Sequence, residues 1–180
     1  MEKQINKAVE ALQCGGVILY PTDTIWGIGC DATDEQAVEK VYKIKKRNES
    51  KALISLVSTK EDLTKLTQNI PLEAENKNPT TIIYNKVNGL AKNLLAENGS
   101  AAIRIVQDEF CKRLITKLNK PIVSTSANLS GTPSPTQYSE IADEIKNTVD
   151  YIVNLRQNEI MTTPSEILLI NTDGSLKKIR

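Results

Sequence analysis

Short apolar runs and helix-period segments alternate along the whole chain, and this alternation narrows the available folds more than any other feature. Val17-Ile18-Leu19-Tyr20 has the make-up of a buried strand, as do residues 52–57, 80–84, 101–106, 121–124, 151–154 and 167–170. Between them lie helical patterns. Ile5, Val9 and Leu12 run up to a stop at Gly15-Gly16, and Ala37, Val38, Val41, Tyr42 and Ile44 form a second apolar stripe. Further helices are expected near 60–67, 90–96, 108–118 and 138–147, and Thr33 with Gln36 has the spacing of a capping box for the second helix. Such interleaving predicts an α/β fold, an open twisted sheet with helices on its faces. Asn171-Thr172-Asp173-Gly174 is a turn signal between two strand-like pieces, so the sheet is expected to be mixed, with an antiparallel hairpin there. With 180 residues and no repeat, low-complexity tract or linker, the chain reads as a single domain, 1–180.

Composition removes several function classes. The chain carries 23 basic and 22 acidic residues, so no global charge argues for DNA binding or a membrane surface. The N-terminus has no apolar signal core and no apolar run approaches the ~18 residues of a membrane span, which makes the cytoplasm the expected compartment. Histidine is absent, which takes away the commonest general base, the Ser-His and Cys-His pairs and most zinc ligand sets. Cys14, Cys30 and Cys111 are odd in number and lack CxxC spacing, so reduced thiols are expected, with no disulfide framework and no protein-bound structural metal. Cys30 has no histidine to activate it as a nucleophile.

The chemistry therefore rests on other groups, and five clusters carry them. Tyr20-Pro21-Thr22-Asp23-Thr24-Ile25-Trp26-Gly27-Ile28-Gly29 reads as a ligand-facing loop leading from a strand to a helix, although Thr and Asp also bond their own backbone in ordinary loops. Lys43, Lys45, Lys46, Arg47 and Lys51 read equally as cations complementing a helix C-terminus and as a polyphosphate clamp. The run from Ser124 to Thr136 lies after a strand and before a helix, where open α/β sheets bind ligands, and its small hydroxyl and amide side chains suit phosphate oxygens. Arg104 is a lone charge in an apolar strand and needs a carboxylate from the protein or a ligand. Pro164-Ser165-Glu166-Ile167 and Arg180 complete the set. Gly27-x-Gly29-x-x-Ala32 fits a dinucleotide fingerprint in letters only, because its glycines do not open a helix, and no P-loop sequence is present.

Together these motifs resemble the YrdC-type threonylcarbamoyl-AMP synthase family over almost the whole chain. The resemblance is carried by residues 20–27, the Lys45-x-Arg47 pair, Arg104 in its strand, the run from Ser124 to Ser134, and Arg180. It implies a YrdC-like fold with a concave, basic cavity. It also implies an enzyme, a nucleotidyltransferase that makes L-threonylcarbamoyl-AMP and pyrophosphate from L-threonine, bicarbonate or CO2, and ATP. By the family pattern Thr22, Arg104 and Ser165 contact threonine, while Lys45, Arg47, Lys51, Ser126, Asn128, Ser134 and Arg180 hold ATP. Catalysis then falls to Lys45, Arg47, Ser126 and Asn128. Mg2+ is expected to travel with ATP. The product would feed threonylcarbamoyladenosine (t6A) modification of tRNA through separate threonylcarbamoyl-transferase proteins, as for the short form of the family. Departures from the pattern are Asn48 after the Lys-x-Arg pair, Lys51-Ala52-Leu53, Trp26, Leu56, Val106 and Pro164-Ser165. Two other readings use the same cavity: an RNA-binding YrdC-like module, and a paralogue without threonine-dependent activity.

Overall fold

The computed structural model describes residues 1–46 and 53–180. Nine strands among them form one sheet: β1 (Ile18–Pro21), β2 (Trp26–Gly29), β3 (Ile54–Val57), β4 (Thr80–Tyr84), β5 (Ala101–Ile105), β6 (Ile122–Ser126), β7 (Tyr151–Ile152), β8 (Glu166–Ile170) and β9 (Leu176–Lys178). Their order across the sheet is β7-β1-β2-β6-β3-β5-β4-β8-β9. The sheet is mixed, with parallel pairs β1/β7, β3/β5 and β4/β8 and antiparallel pairs elsewhere, including the β8/β9 hairpin expected from the Asn171 turn.

Because paired residues point to the same side of a sheet, the registers assign its faces. Gly27 pairs with Ser126, Ile54 with both Ser124 and Ala102, Leu56 with Arg104, and Ile83 with Ala102. These residues share one face. Two helices cover part of it: α1 (Glu2–Gln13) and α4 (Glu109–Leu118) bury Ile5, Leu12, Phe110, Leu114 and Ile115 against Ile18, Tyr20, Leu56 and Ile122. The opposite face is closed by α2 (Glu35–Lys45) and by the segments around α3 (Lys60–Thr64), over Leu19, Trp26, Ile28, Leu53, Ile103 and Val123.

Four local readings change. The segment 20–29 is a β-hairpin whose turn spans 22–25, because Trp26 and Ile28 bury their side chains while Gly27 and Gly29 let the strands close. At Gly29 a Cβ would lie 1.9 Å from the Val123 carbonyl oxygen, so this close approach admits no side chain. Its glycines, poor strand formers, disguise the strand in the sequence. The cap of α2 is Asp34, whose carboxylate accepts from the amides of Gln36 (2.9 Å) and Ala37 (3.2 Å). Thr33 is diverted, donating its hydroxyl to Asp31 at 2.6 Å. The helix expected over 138–147 splits into a 3-10 turn (Tyr138–Glu140) and α5 (Asp143–Lys146), since Glu140 folds back to accept from the Thr136 amide and hydroxyl. Near 90–96 the chain makes only the 3-10 turn Lys92–Leu94.

Candidate active site

The part of the sheet face that α1 and α4 leave uncovered is the floor of a cavity of about 290 Å³. Gly27, Ile54, Ile83, Ala102, Arg104, Ser124, Ser126 and Ile167 line it from the strands, Thr24 and Ile25 from the hairpin turn, and Ser134, Pro164, Ser165 and Arg180 from the loops and the last residue described. Its size lies near the lower end of small-molecule sites, roughly 300 Å³. A neighbouring cleft of about 390 Å³ shares Ser134 and is lined by Asn128, Leu129, Thr132, Glu140 and Ala142 among others.

Two guanidiniums set the electrostatics. Arg104 is buried, and its Nη2 pairs with Asp23 Oδ1 at 3.0 Å, while Asp23 Oδ2 accepts from the Gln107 amide at 2.9 Å. The protein itself thus supplies the carboxylate that the lone strand charge needed. The Nε of Arg104, also buried, has no protein partner. Arg180 donates from Nε and Nη2 to the Ser165 carbonyl at 3.2 and 3.0 Å, and among the described residues no carboxylate pairs with it. Burial, and then the Arg104 charge, lower the Arg180 pKa. Two guanidiniums in a lining that, among the described residues, holds no Asp or Glu side chain make this a place for an anion. The Ser165 hydroxyl, itself buried, bonds that of Thr81 at 2.8 Å.

Lys45, at the end of α2, is 1% exposed. Its Nζ donates to the Ser126 carbonyl, to Ser126 Oγ at 3.3 Å and to Asn128 Oδ1 at 3.1 Å, and its own carbonyl accepts from the Ser130 amide at 2.9 Å. Asn128 Nδ2 then donates to the carbonyls of Leu129 (3.0 Å) and Thr132 (2.5 Å). Lys45 and Asn128 therefore brace the serine loop from behind the cavity wall.

Of the residues expected in the site, the structure brings Arg104, Ser126, Ser134, Ser165 and Arg180 into one cavity. Thr22 lies in the hairpin turn behind it, buried, its Oγ1 bonded to the Ile25 carbonyl (2.7 Å), Thr24 Oγ1 (2.9 Å) and the amides of Thr24 and Ile25. Arg47 and Lys51 lie outside the described residues. Lys43 and Lys46 are surface cations paired with Glu39 and Glu144, as a solvated helix end would have them. In the sequence the threonines and aspartate of this turn read together as ligand-facing, but only Thr22 is named as a contact, leaving out Asp23 and Thr24. Their signal was present, a carboxylate between two threonines in the same turn. Cys30 and Cys111 are buried away from the cavity, and burial pushes both thiols up, which suits packing and not attack. Among the described residues no three His, Cys, Asp or Glu side chains are grouped as metal ligands.

Known proteins resemble this chain in sequence and in fold. A family model for Sua5, YciO and YrdC proteins, described as "Telomere recombination", matches residues 10–180. The chain is 32% identical over 186 aligned positions to a threonylcarbamoyl-AMP synthase of Aliivibrio fischeri, covering 98% of this chain and 99% of that one. It is 30% identical to a threonylcarbamoyl-AMP synthase of Pyrococcus abyssi, across 85% of this chain but 47% of the relative, so it spans about half that protein. The crystal structure of P. abyssi Sua5 complexed with L-threonine superposes with a TM-score of 0.86 at 26% identity, over 100% of this chain and 54% of that one.

Proposed function

This chain belongs to the Sua5/YciO/YrdC family, and from that membership we propose that it is an L-threonylcarbamoyladenylate synthase folded as one YrdC-like domain. The observation that carries the reading is the cavity on the open sheet face, where Arg104, Arg180 and a set of serine hydroxyls meet and, among the described residues, no Asp or Glu side chain lines the wall. Its substrates would be L-threonine, bicarbonate or CO2, and ATP accompanied by Mg2+.

The chemistry asks little of acid–base groups. Once the threonine amine has added to CO2 and lost a proton, the carbamate is an anionic nucleophile. One of its oxygens attacks the α-phosphorus of ATP, the bond to the bridging oxygen breaks, and pyrophosphate leaves with the electron pair. What remains is to position two anions and offset the charge that builds on the phosphates. Arg104 offers its unpartnered Nε to the threonine carboxylate, with Ser165 and the Thr22 turn, through Thr24, shaping that end. Arg180, Ser126 and Ser134 face the nucleotide and Lys45 and Asn128 hold the serine loop in shape; Arg47 and Lys51, outside the described residues, are assigned to the phosphates by the sequence pattern alone. Asp23 is committed to Arg104 and the Gln107 amide, and among the described residues no Asp or Glu side chain lines the cavity, so the donor set suits phosphate oxygens better than a metal cage. Mg2+ then travels as part of the ATP substrate. The product passes to separate threonylcarbamoyl-transferase proteins of the tRNA t6A pathway. The reading places the protein in the cytoplasm, and no helix among the described residues is long and apolar enough to cross a membrane.

A three-way omission assay tests this. Pyrophosphate release from ATP is expected only when threonine and bicarbonate are both present. Equal release without threonine would overturn the assignment and favour a paralogue with another acceptor.

A further inference from the structure

Arg156 lies outside the cavity lining, in the segment 153–165 that links β7 to β8, strands separated by six others in the sheet. The segment ends at Pro164 and Ser165, which line the cavity. At Arg156 the backbone takes a φ of 53°, a left-handed conformation that a long L side chain adopts only when its surroundings hold it there. The side chain shows what holds it. Nη1 donates to Asp108 Oδ2 at 2.5 Å, Nη2 to the Thr22 carbonyl at 3.1 Å, and Nε and Nη2 to Glu159 at 2.6 and 3.0 Å. Asp108 in turn caps α4, accepting from the Cys111 amide at 2.8 Å.

We propose that Arg156 is a positioning residue that clamps the 22–25 turn to the N-terminus of α4 and thereby aims Arg104. The geometry runs without a gap. The turn held by Arg156 through Thr22 carries Asp23, Asp23 bridges Arg104 and the Gln107 amide, and Gln107 immediately precedes Asp108, the clamp's other anchor. A planar guanidinium can reach a carbonyl and two carboxylates at once, which an ammonium on a flexible stem cannot do with the same geometry. Releasing the clamp lets the turn move, Asp23 with it, and the Arg104 guanidinium loses its fixed orientation toward an anion in the cavity. The inference rests on the synthase reading for its ligand, threonine.

The test compares wild type with Arg156→Gln and Arg156→Lys, with the surface variant Arg113→Gln as control. Three readouts are steady-state KM for threonine and for ATP, amide hydrogen exchange, and thermal unfolding. Arg156→Gln is expected to raise the threonine KM about tenfold or more while the ATP KM stays within about twofold, and to speed exchange at Thr24 and Gln107. Arg156→Lys should restore part of the threonine KM. Equal rises in both KM values, or unchanged exchange in a folded Arg156→Gln protein, would overturn the clamp. If Arg156→Gln does not fold, Arg156→Lys carries the same comparison, and equal rises in both KM values there, or a raised threonine KM with unchanged exchange at Thr24 and Gln107, would equally overturn it. If wild type itself shows no threonine-dependent turnover, the synthase reading has failed, and the exchange at Thr24 and Gln107 still decides whether the clamp exists.

Discussion

Arg104 and Asp23 show how much one pair can decide. Their side chains are 3% and 8% exposed, so neither charge can be left to water, and the value of the pair lies mainly in what happens when one member is removed. Arg104→Ala is expected to lower unfolding stability by about 3 kcal/mol, because Asp23 is stranded. Asp23→Ala should be costly for the same reason, yet the double variant should cost less than the sum of the two. Urea unfolding of the three proteins measures the coupling, and strict additivity would show that the pair is not electrostatically linked. Lys45 is the opposite kind of buried charge, one with its donors taken up by Ser126 and Asn128 and so able to act as a structural brace. The letters around Lys45 admitted either a phosphate clamp or a helix-end cation, and only the position of the serine loop, many residues later in the chain, shows what its ammonium touches.

At the level of elements, α2 illustrates why motif spacing can point one residue astray. Thr33 and Gln36 match a capping box, but Asp31 forms an isolated bridge with Ile122 and captures the Thr33 hydroxyl, leaving Asp34 to satisfy the free amides. Replacing Asp34 by Ala is therefore expected to destabilise the protein by about 1 kcal/mol, with Thr33→Ala costing no more than half of that by chemical denaturation; the reverse order would return the cap to Thr33. The hairpin at β1 and β2 carries a related lesson. Most strands were legible because they are rich in β-branched and aromatic residues, as in Thr80-Thr81-Ile82-Ile83-Tyr84, where the expected range matches β4 at both ends. Trp26–Gly29 was hidden because half of its residues are glycines, Gly29 kept small by Val123 and Tyr20 packed against it and Gly27 lying close to the Ser124 hydroxyl.

Across the whole molecule, the unequal covering of the sheet is the decisive feature. One face is closed by α2 and its neighbours, the other only in part by α1 and α4, and the gap becomes the cavity. The same distribution of burial governs the cysteines. Cys14 is exposed, whereas Cys30 and Cys111 lie in the two cores with their thiols held protonated by burial. A thiol reagent should therefore modify one cysteine quickly in the native protein and all three after denaturation, counted by mass; rapid native labelling of Cys30 would contradict this packing.

The order of strands and helices, the mixed character of the sheet and the family resemblance all follow from patterns local in the chain, since periodicity, turn residues and contiguous motifs need no distant partner. Which side chains share the cavity does not follow from them. Register decides that Ser124, Ser126, Ala102 and Arg104 point the same way, and helix placement decides that this stretch of face stays open. Thr22 turns its hydroxyl into its own hairpin while Thr24 reaches the cavity, because closing the turn consumes the nearer hydroxyl and leaves the other on the wall. Contacts such as Arg156 to Thr22, 134 residues apart, exist only once the sheet has brought distant segments together.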